Sequence, residues 1–245
     1  MMLADAVALS AAGLVAGALN AAVGSGTLIT YPVLLTVGLP PVAANATNSL
    51  GMVPGSLSGA WMYRSNLKGR RQSLIKWSLA TGAGAVVGAT LVVLLPERVF
   101  VAVVPWLILS ACLLIAVQPV LLKYLSKGSH RAVTPAIGAV GVYGGYFGAG
   151  QGIAYLAALG SLDGGDIHQA NAAKNVVASA ANGAAAATFA LAGRVVWLPA
   201  LVICIGTLVG GFAGGGIARR LPSWALRSVI VAVGVYAAVL SFSKG

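Results

Sequence analysis

Charge is what this sequence has least of, and acid least of all. Only 8% of its 245 residues are charged, and four acids stand against 15 Lys plus Arg. A soluble domain carries about 25% charged residues. So few charges do not cover a soluble surface, which excludes an ordinary cytosolic fold. The two cysteines, Cys112 and Cys204, lie inside apolar runs with no metal or redox spacing. The net charge of +11 comes without a basic patch interleaved with aromatics, so no nucleic acid is expected as a partner. No nucleophile with a base, metal cluster or phosphate loop is present, and Gly24-Ser25-Gly26 lacks the lysine of a P-loop. Neither enzyme activity nor a cofactor is expected. The opening MMLADAVALS has no positive n-region, so the first apolar run reads as a retained membrane segment.

Apolar residue is what the sequence has in abundance, at 59%. Runs of about 20 residues, enough to cross the hydrocarbon of a bilayer, recur throughout. The expected fold class is all-α: a polytopic integral membrane protein of about eight transmembrane segments. They cover 5–36, 42–63, 74–95, 99–122, 133–160, 167–191, 195–218 and 223–242. Glycines at four-residue spacing (Gly13/Gly17, Gly55/Gly59, Gly84/Gly88, Gly210/Gly214) predict close helix packing. Trp61, Trp77, Trp106, Trp197 and Trp224 lie mostly near segment ends, as interfacial belts require.

The first and fifth runs are longer than one crossing needs. Each is interrupted by glycine, at Gly24-Ser25-Gly26 and at Gly148-Ala149-Gly150. A helix broken at depth needs protein or a water-filled cavity around its freed backbone. The two breaks are related by an offset of 124, as are Tyr31 and Tyr155. Beyond them the offset is 126, relating Ala44-Asn45-Ala46 to Ala170-Asn171-Ala172, Gly84 and Gly88 to Gly210 and Gly214, and Leu95-Pro96 to Leu221-Pro222. This predicts two transmembrane repeats with broken first helices, residues 1–124 and 125–245. Repeats with matching broken helices point to a secondary transporter whose substrate sits between them.

Basic residues favour cytoplasmic connections. Arg64, Lys68, Arg70, Arg71 and Lys76 follow the second segment, and Lys123, Lys127 and Arg131 follow the fourth. Eight full crossings then place both termini in the cytoplasm and leave Arg219, Arg220 and Arg227 as an exception outside. A re-entrant broken segment would remove the exception and invert the repeats.

The acids Asp5, Glu97, Asp163 and Asp166 all avoid the middle of apolar runs. A cation carrier usually needs a carboxylate at depth. Amides, hydroxyls and one lysine occupy the depth instead, an inventory suited to an anion. Lys174 lies well inside its segment and reads either as an anion ligand or as a side chain snorkelling to the interface. Asn45, Thr47, Asn48 and Ser49 open one segment, and Asn171 and Asn175 open another. Capping accounts for one residue per helix, whereas lining a site accounts for the succession. Ser25, Thr27 and Gln151 flank the glycine breaks and offer donors to oxyanion oxygens, with Asn20 on the same segment. His168 is a candidate for proton coupling; His130 sits in a basic loop.

The stretch Ala22-Val-Gly-Ser-Gly-Thr-Leu-Ile-Thr-Tyr-Pro-Val-Leu-Leu resembles the TauE/SafE family of sulfite and organosulfonate exporters. Gly38-Leu-Pro-Pro and Ala44-Asn-Ala-Thr-Asn continue the resemblance, and Gly148-Ala-Gly-Gln-Gly with Ala170-Asn-Ala-Ala-Lys-Asn forms a weaker second copy. Many family members carry a run of glycines where this chain has Ser25 and Thr27, which bears on substrate more than on fold. The resemblance implies export of sulfite, a sulfonate or a similar sulfur-containing anion.

The expected function is therefore a secondary transporter in a cell inner membrane. Ser25, Thr27, Asn45, Thr47, Asn48, Ser49, Gln151, Asn171, Lys174 and Asn175 are its candidate substrate-binding residues. The alternative is a passive anion channel with the same cluster lining a pore. The expected partners are a small anion, membrane lipid, a coupling proton and a second copy of the chain in a homodimer.

Overall fold

A computed structural model describes residues 2–124, 130–160, 167–217, 228, 230–236 and 238–239. The described chain is helical and contains no strand. The helices are α1 (Leu3–Ala22), α2 (Thr27–Thr36), α3 (Pro41–Met62), α4 (Arg71–Leu94), α5 (Glu97–Tyr124), α6 (His130–Tyr146), α7 (Gln151–Gly160), α8 (Ile167–Leu191) and α9 (Trp197–Ile217), with a 3-10 turn at Arg64–Leu67 between α3 and α4. Further helix appears at 228, 230–236 and 238–239, within the expected last segment. Most of that segment's ends, with Leu221-Pro222, Arg219, Arg220, Arg227 and Trp224, lie outside the described residues, as do Asp163, Asp166 and Lys127.

Among the described residues the first seven expected segments are recovered as helices, including both interruptions, and the eighth in part. Four helices are long and apolar enough to cross a membrane by length and composition: Leu3–Ala22, Arg71–Leu94, Glu97–Gln118 and Trp197–Gly214. The central helices α3 and α8 fall outside that set because they carry the buried amides and hydroxyls. They can do so because they pack on each other and are flanked by α1 with α9 and by α4 with α6. Leu79, Trp106, Leu113, Leu201 and Ile205 on the outer helices are exposed, as residues facing acyl chains should be. Trp61 and Trp197 are exposed at helix ends, whereas Trp77 is buried.

Small residues set these packings. A methyl added at Gly13 would lie 3.1 Å from the Cα of Gly206, and one at Gly17 2.9 Å from the amide of Gly211. Gly84 and Gly88 meet Gly138, Val142 and Tyr146 in the same way. Thus α1 lies along α9 and α6 along α4, each pair joining the first half of the chain to the second.

Both breaks turn the chain back on itself. A methyl on Gly26 would fall 2.6 Å from the carbonyl oxygen of Ala16 and 3.1 Å from Cβ of Asn20, so α2 starts beside the last two turns of α1. Thr27 and Thr30 both bond Asn48, while Asn20 bonds Ser56. Along α3, then, α1 runs one way and α2 the other. In the second half, Thr81 packs against Gly141 of α6 and bonds Tyr155 of α7, which places α7 back at the level of α6. The long runs are re-entrant hairpins, α1–α2 and α6–α7, and not single kinked crossings.

The hairpins enter from opposite faces. The Gly59–Asn175 and Thr47–Val196 contacts make α3 and α8 antiparallel. Arg70–Gln169 and Gly82–Ala184 make α4 parallel to α8. Since α1 follows α3 and α6 follows α4, α1 and α6 point towards each other.

Candidate functional site

The hairpin turns share one local design. Gly24 (φ +85°) and Gly148 (φ +77°) adopt the left-handed backbone that stops a helix and that glycine tolerates without a Cβ clash. Val23 and Gly24 amides donate to Leu19 O at 2.7 and 3.1 Å; Phe147 and Gly148 amides donate to Tyr143 O at 2.9 and 3.1 Å. The Ile29 amide then donates to Gly26 O at 2.9 Å, and Ile153 to Gly150 O at 3.0 Å. The tips touch: the Gly152 amide donates to Gly24 O at 3.2 Å, and a methyl on Gly24 would lie 2.9 Å from the Gly152 carbonyl carbon. The N-terminal ends of α2 and α7 therefore converge. Such ends carry the positive pole of the helix dipole, while the amides of Leu28, Ile29, Gln151, Gly152 and Ile153 donate to carbonyls of the tips themselves. Ser25 lies in the first tip, 1% exposed, and its hydroxyl has no hydrogen-bond partner.

The candidate residues fall into four settings around these tips. Thr27 accepts from the Asn48 amide at 3.1 Å, and Asn48 Oδ1 in turn accepts from Thr30. Gln151 donates to Asn182 Oδ1 at 2.9 Å, leaving its own Oε1 buried without a partner. Asn171, Lys174 and Asn175 converge on the end of α1: all three donate to Ala21 O, at 3.1, 3.3 and 3.2 Å, and Lys174 also reaches Asn20 O at 2.9 Å. Asn45 does the same for α6, donating to Tyr146 O at 2.9 Å.

A helix leaves its last carbonyls without intrahelical donors. The amides of α8 satisfy those of α1, and an amide of α3 satisfies one of α6. These residues cap the broken helix of the opposite half and not the helix they begin. Lys174 is fully buried, so it does not snorkel. Thr47 and Ser49 stand apart. Thr47 Oγ1 accepts from the Val196 amide at 3.0 Å, tying down the α8–α9 turn, and Ser49 donates to Asn45 O within its own helix at 3.0 Å. His168 is exposed near the start of α8.

Sequence reasoning passed over Thr30, Ser56 and Asn182. Thr30 was signalled by its i+3 spacing from Thr27, which puts both on one helix face. Asn182 was signalled as a lone amide in an alanine-rich helix. A cavity of about 370 Å³ opens at the α2–α3 corner, lined by Leu35, Leu39, Pro40, Val101 and Val104, with Tyr31 at its wall. Tyr31 packs edge-on against Phe147 at 5.0 Å between ring centroids, directly before the second break. The cavity thus reaches the aromatic cover of the tips.

The sulfite exporter TauE/SafE family model matches residues 9–241. A probable membrane transporter protein of Sinorhizobium sp, ORF9, is 27% identical over 234 residues, covering 93% of this chain and 88% of its own. A probable membrane transporter protein of Haemophilus influenzae is 29% identical, covering 89% and 87%. The probable membrane transporter protein YfcA of Escherichia coli K12 is 29% identical, covering 90% and 83%. No solved structure matches the chain. The apolar helices, the paired re-entrant hairpins and a family match over nearly the whole length lead to one assignment: this multi-pass membrane transporter, which is not an enzyme, belongs to the TauE/SafE sulfite exporter family.

Proposed function

We propose that the protein exports a small sulfur-containing anion, sulfite or an organosulfonate, across the cell inner membrane by alternating access. The observation that carries this reading is the meeting of the two hairpin tips at Gly24 and Gly152, with the buried Ser25 hydroxyl left unpartnered beside them. Two positive helix ends and a free hydroxyl suit an oxyanion. Gly148, Ala149 and Gly150 contribute backbone without side-chain bulk, and Thr27, Asn48 and Gln151 frame the tips.

The matched hydrogen bonds at an offset of 124 support residues 1–124 and 125–245 as repeats. The opposite entry of their hairpins supports an inverted pair, the arrangement in which rocking exchanges the accessible face. The cavity at Tyr31 supports access from the face where α1 begins. Energy comes from a proton or the membrane potential.

The opposite hairpins also rearrange the expected topology. A hairpin begins and ends on one face, so α3 carries the chain to the face holding Arg64, Lys68, Arg70 and Arg71. The end of α5, with Lys123, returns to that face after α4 and α5 cross out and back. With the basic face cytoplasmic, both termini lie outside, with Arg98 and Arg194, in place of the cytoplasmic termini that eight full crossings imply.

The test is flux in proteoliposomes with sulfite, sulfate, thiosulfate and a sulfonate, each with and without a proton gradient. Saturable sulfite or sulfonate flux of no more than about thousands of ions per second is expected for a cycle gated by millisecond conformational steps. Flux of millions per second would instead identify a channel, and no flux of any of the four anions would overturn the substrate assignment.

A further inference from the structure

The end of α1 is a place built for a cation. Its last carbonyls lack intrahelical donors, and the helix dipole makes them more negative. Interrupted membrane helices hold coupling cations on carbonyls freed in this way. Here the carbonyls of Asn20 and Ala21 hold the ammonium of Lys174, at 2.9 and 3.3 Å. Asn171 and Asn175 complete the setting: both amides donate to Ala21 O, and both Oδ1 atoms are buried without a partner. The ammonium, 0% exposed, thus rests on two backbone carbonyl oxygens, and among the described residues it pairs with no carboxylate.

Among the described residues, the neighbouring elements bring no acid to Lys174. α3 carries no titratable side chain, and α1 carries only Asp5, at its opposite end. The 3-10 turn brings Arg64, and Arg70 beyond it donates to Gln169. α4 brings Arg71 and Lys76; α7 brings Tyr155, bonded to Thr81; α6 brings His130, Arg131, Tyr146 and Tyr143, the last bonded to Ala149 O; α8 itself brings His168. A buried charge without a counter-ion is costly. A lysine so placed is held charged by the oxygen cradle and is poised to give up its proton when the cradle opens.

We infer that Lys174 is the coupling-proton site: its ammonium occupies the position of a bound metal cation, and the proton on Nζ is the ion moved in exchange for the anion. This rests on the secondary-transporter reading above. The cycle involves only N–H bonds. Neutral Lys174 takes a proton from water on the outer face, and the charge draws Nζ onto Asn20 O and Ala21 O, holding the first hairpin against α8. In the alternate arrangement Nζ releases that proton to water on the cytoplasmic face, and the hairpin tip is freed. The position related by the 126 offset is Asn48, which bonds Thr27 and Thr30 and carries no proton, so one proton moves per cycle.

The test uses the full chain in proteoliposomes with radiolabelled sulfite, in two assays. One is sulfite–sulfite exchange at equal pH; the other is accumulation driven by a proton gradient. In Lys174→Gln and Lys174→Met, accumulation falls at least about tenfold while exchange stays within about threefold of wild type, since a charged hydrogen bond to the cradle is lost but the tips are intact. Lys174→Arg behaves likewise in accumulation, because a guanidinium does not release its proton. Retained accumulation in Lys174→Gln overturns the proposal, and so does a loss of exchange equal to that of accumulation, which would make Lys174 a substrate ligand. Hydrogen exchange of residues 19–26, corrected for intrinsic rates, gives a readout without substrate. Opening should increase with pH in wild type and be independent of pH in Lys174→Gln. A flat wild-type profile overturns the proposal, whereas no sulfite flux with a pH-dependent wild-type profile overturns only the choice of substrate.

Discussion

The backbone amide of Gly152 donates to the carbonyl oxygen of Gly24 across 3.2 Å, and this bond ties the tip of one re-entrant hairpin to the tip of the other. Gly24 is held there twice over. Its φ of +85° disfavours any side chain, and a methyl would meet the backbone of Gly152. Gly38 separates the two effects, since its φ is +92° but nothing lies within 4 Å of an added methyl. Gly38→Ala should cost about 1 kcal/mol, the strain of left-handed backbone alone. Gly24→Ala should cost at least about 2 kcal/mol, because the neighbouring backbone must also move. Thermal unfolding in detergent measures both. Equal costs would show that the tips are not in contact.

The caps across the halves differ in redundancy. Tyr146 O receives Asn45, whereas Ala21 O receives Asn171, Lys174 and Asn175. Asn45→Ala therefore strands a part-buried carbonyl and should destabilise by about 1–2 kcal/mol. Asn171→Ala leaves two donors in place and should cost less than about 1 kcal/mol, with Asn171→Ala/Asn175→Ala costing more than the sum of its parts. A larger loss for Asn171→Ala than for Asn45→Ala, measured by denaturation in mixed micelles, would contradict this assignment of the caps.

Much of this was legible because lipid simplifies the code. Glycine inside an otherwise apolar run marks a break, and Gly24 and Gly148 both end helices where expected. The reversal at each break was not legible. A kinked crossing and a re-entrant hairpin have the same composition, and only length separates them: α1, at 20 residues, already suffices to cross, while α2 and α7, at 10 each, do not. The amide clusters were found, but their targets were hidden, since Asn171 reaches a carbonyl 150 residues away. The run Asn45, Thr47, Asn48, Ser49 looked like one lining surface. Helical geometry turns its members to different neighbours: Tyr146, Val196, the two threonines of α2, and its own preceding turn.

Ser25 separates substrate binding from stability. Its hydroxyl is buried and unpartnered, so Ser25→Ala removes an unmet polar group and should leave the unfolding temperature unchanged or slightly raised. If the hydroxyl serves the anion, the same change should raise the sulfite KM by about tenfold to a hundredfold, the value of one hydrogen bond to a charged group. Ser25→Asp should abolish flux, since a carboxylate at the tips would repel the substrate. An unchanged KM in Ser25→Ala would move the site away from the first tip.

Orientation is the prediction with the sharpest alternative. Ser65 lies on the turn after α3, and Arg194 on the turn between α8 and α9; both are exposed, at opposite ends of the α3–α8 pair. In a background with Cys112 and Cys204 replaced by Ala, Arg194→Cys and Leu3→Cys should react with a membrane-impermeant maleimide added to intact cells. Ser65→Cys should react only after the membrane is opened. The eight-crossing arrangement places Leu3 on the same side as Ser65, so protection of Leu3→Cys in intact cells would restore it. Labelling of Leu3→Cys with Arg194→Cys requires the first run to return to the face it entered, because an odd number of crossings must separate Leu3 from Ser65, and α3 supplies the one crossing available.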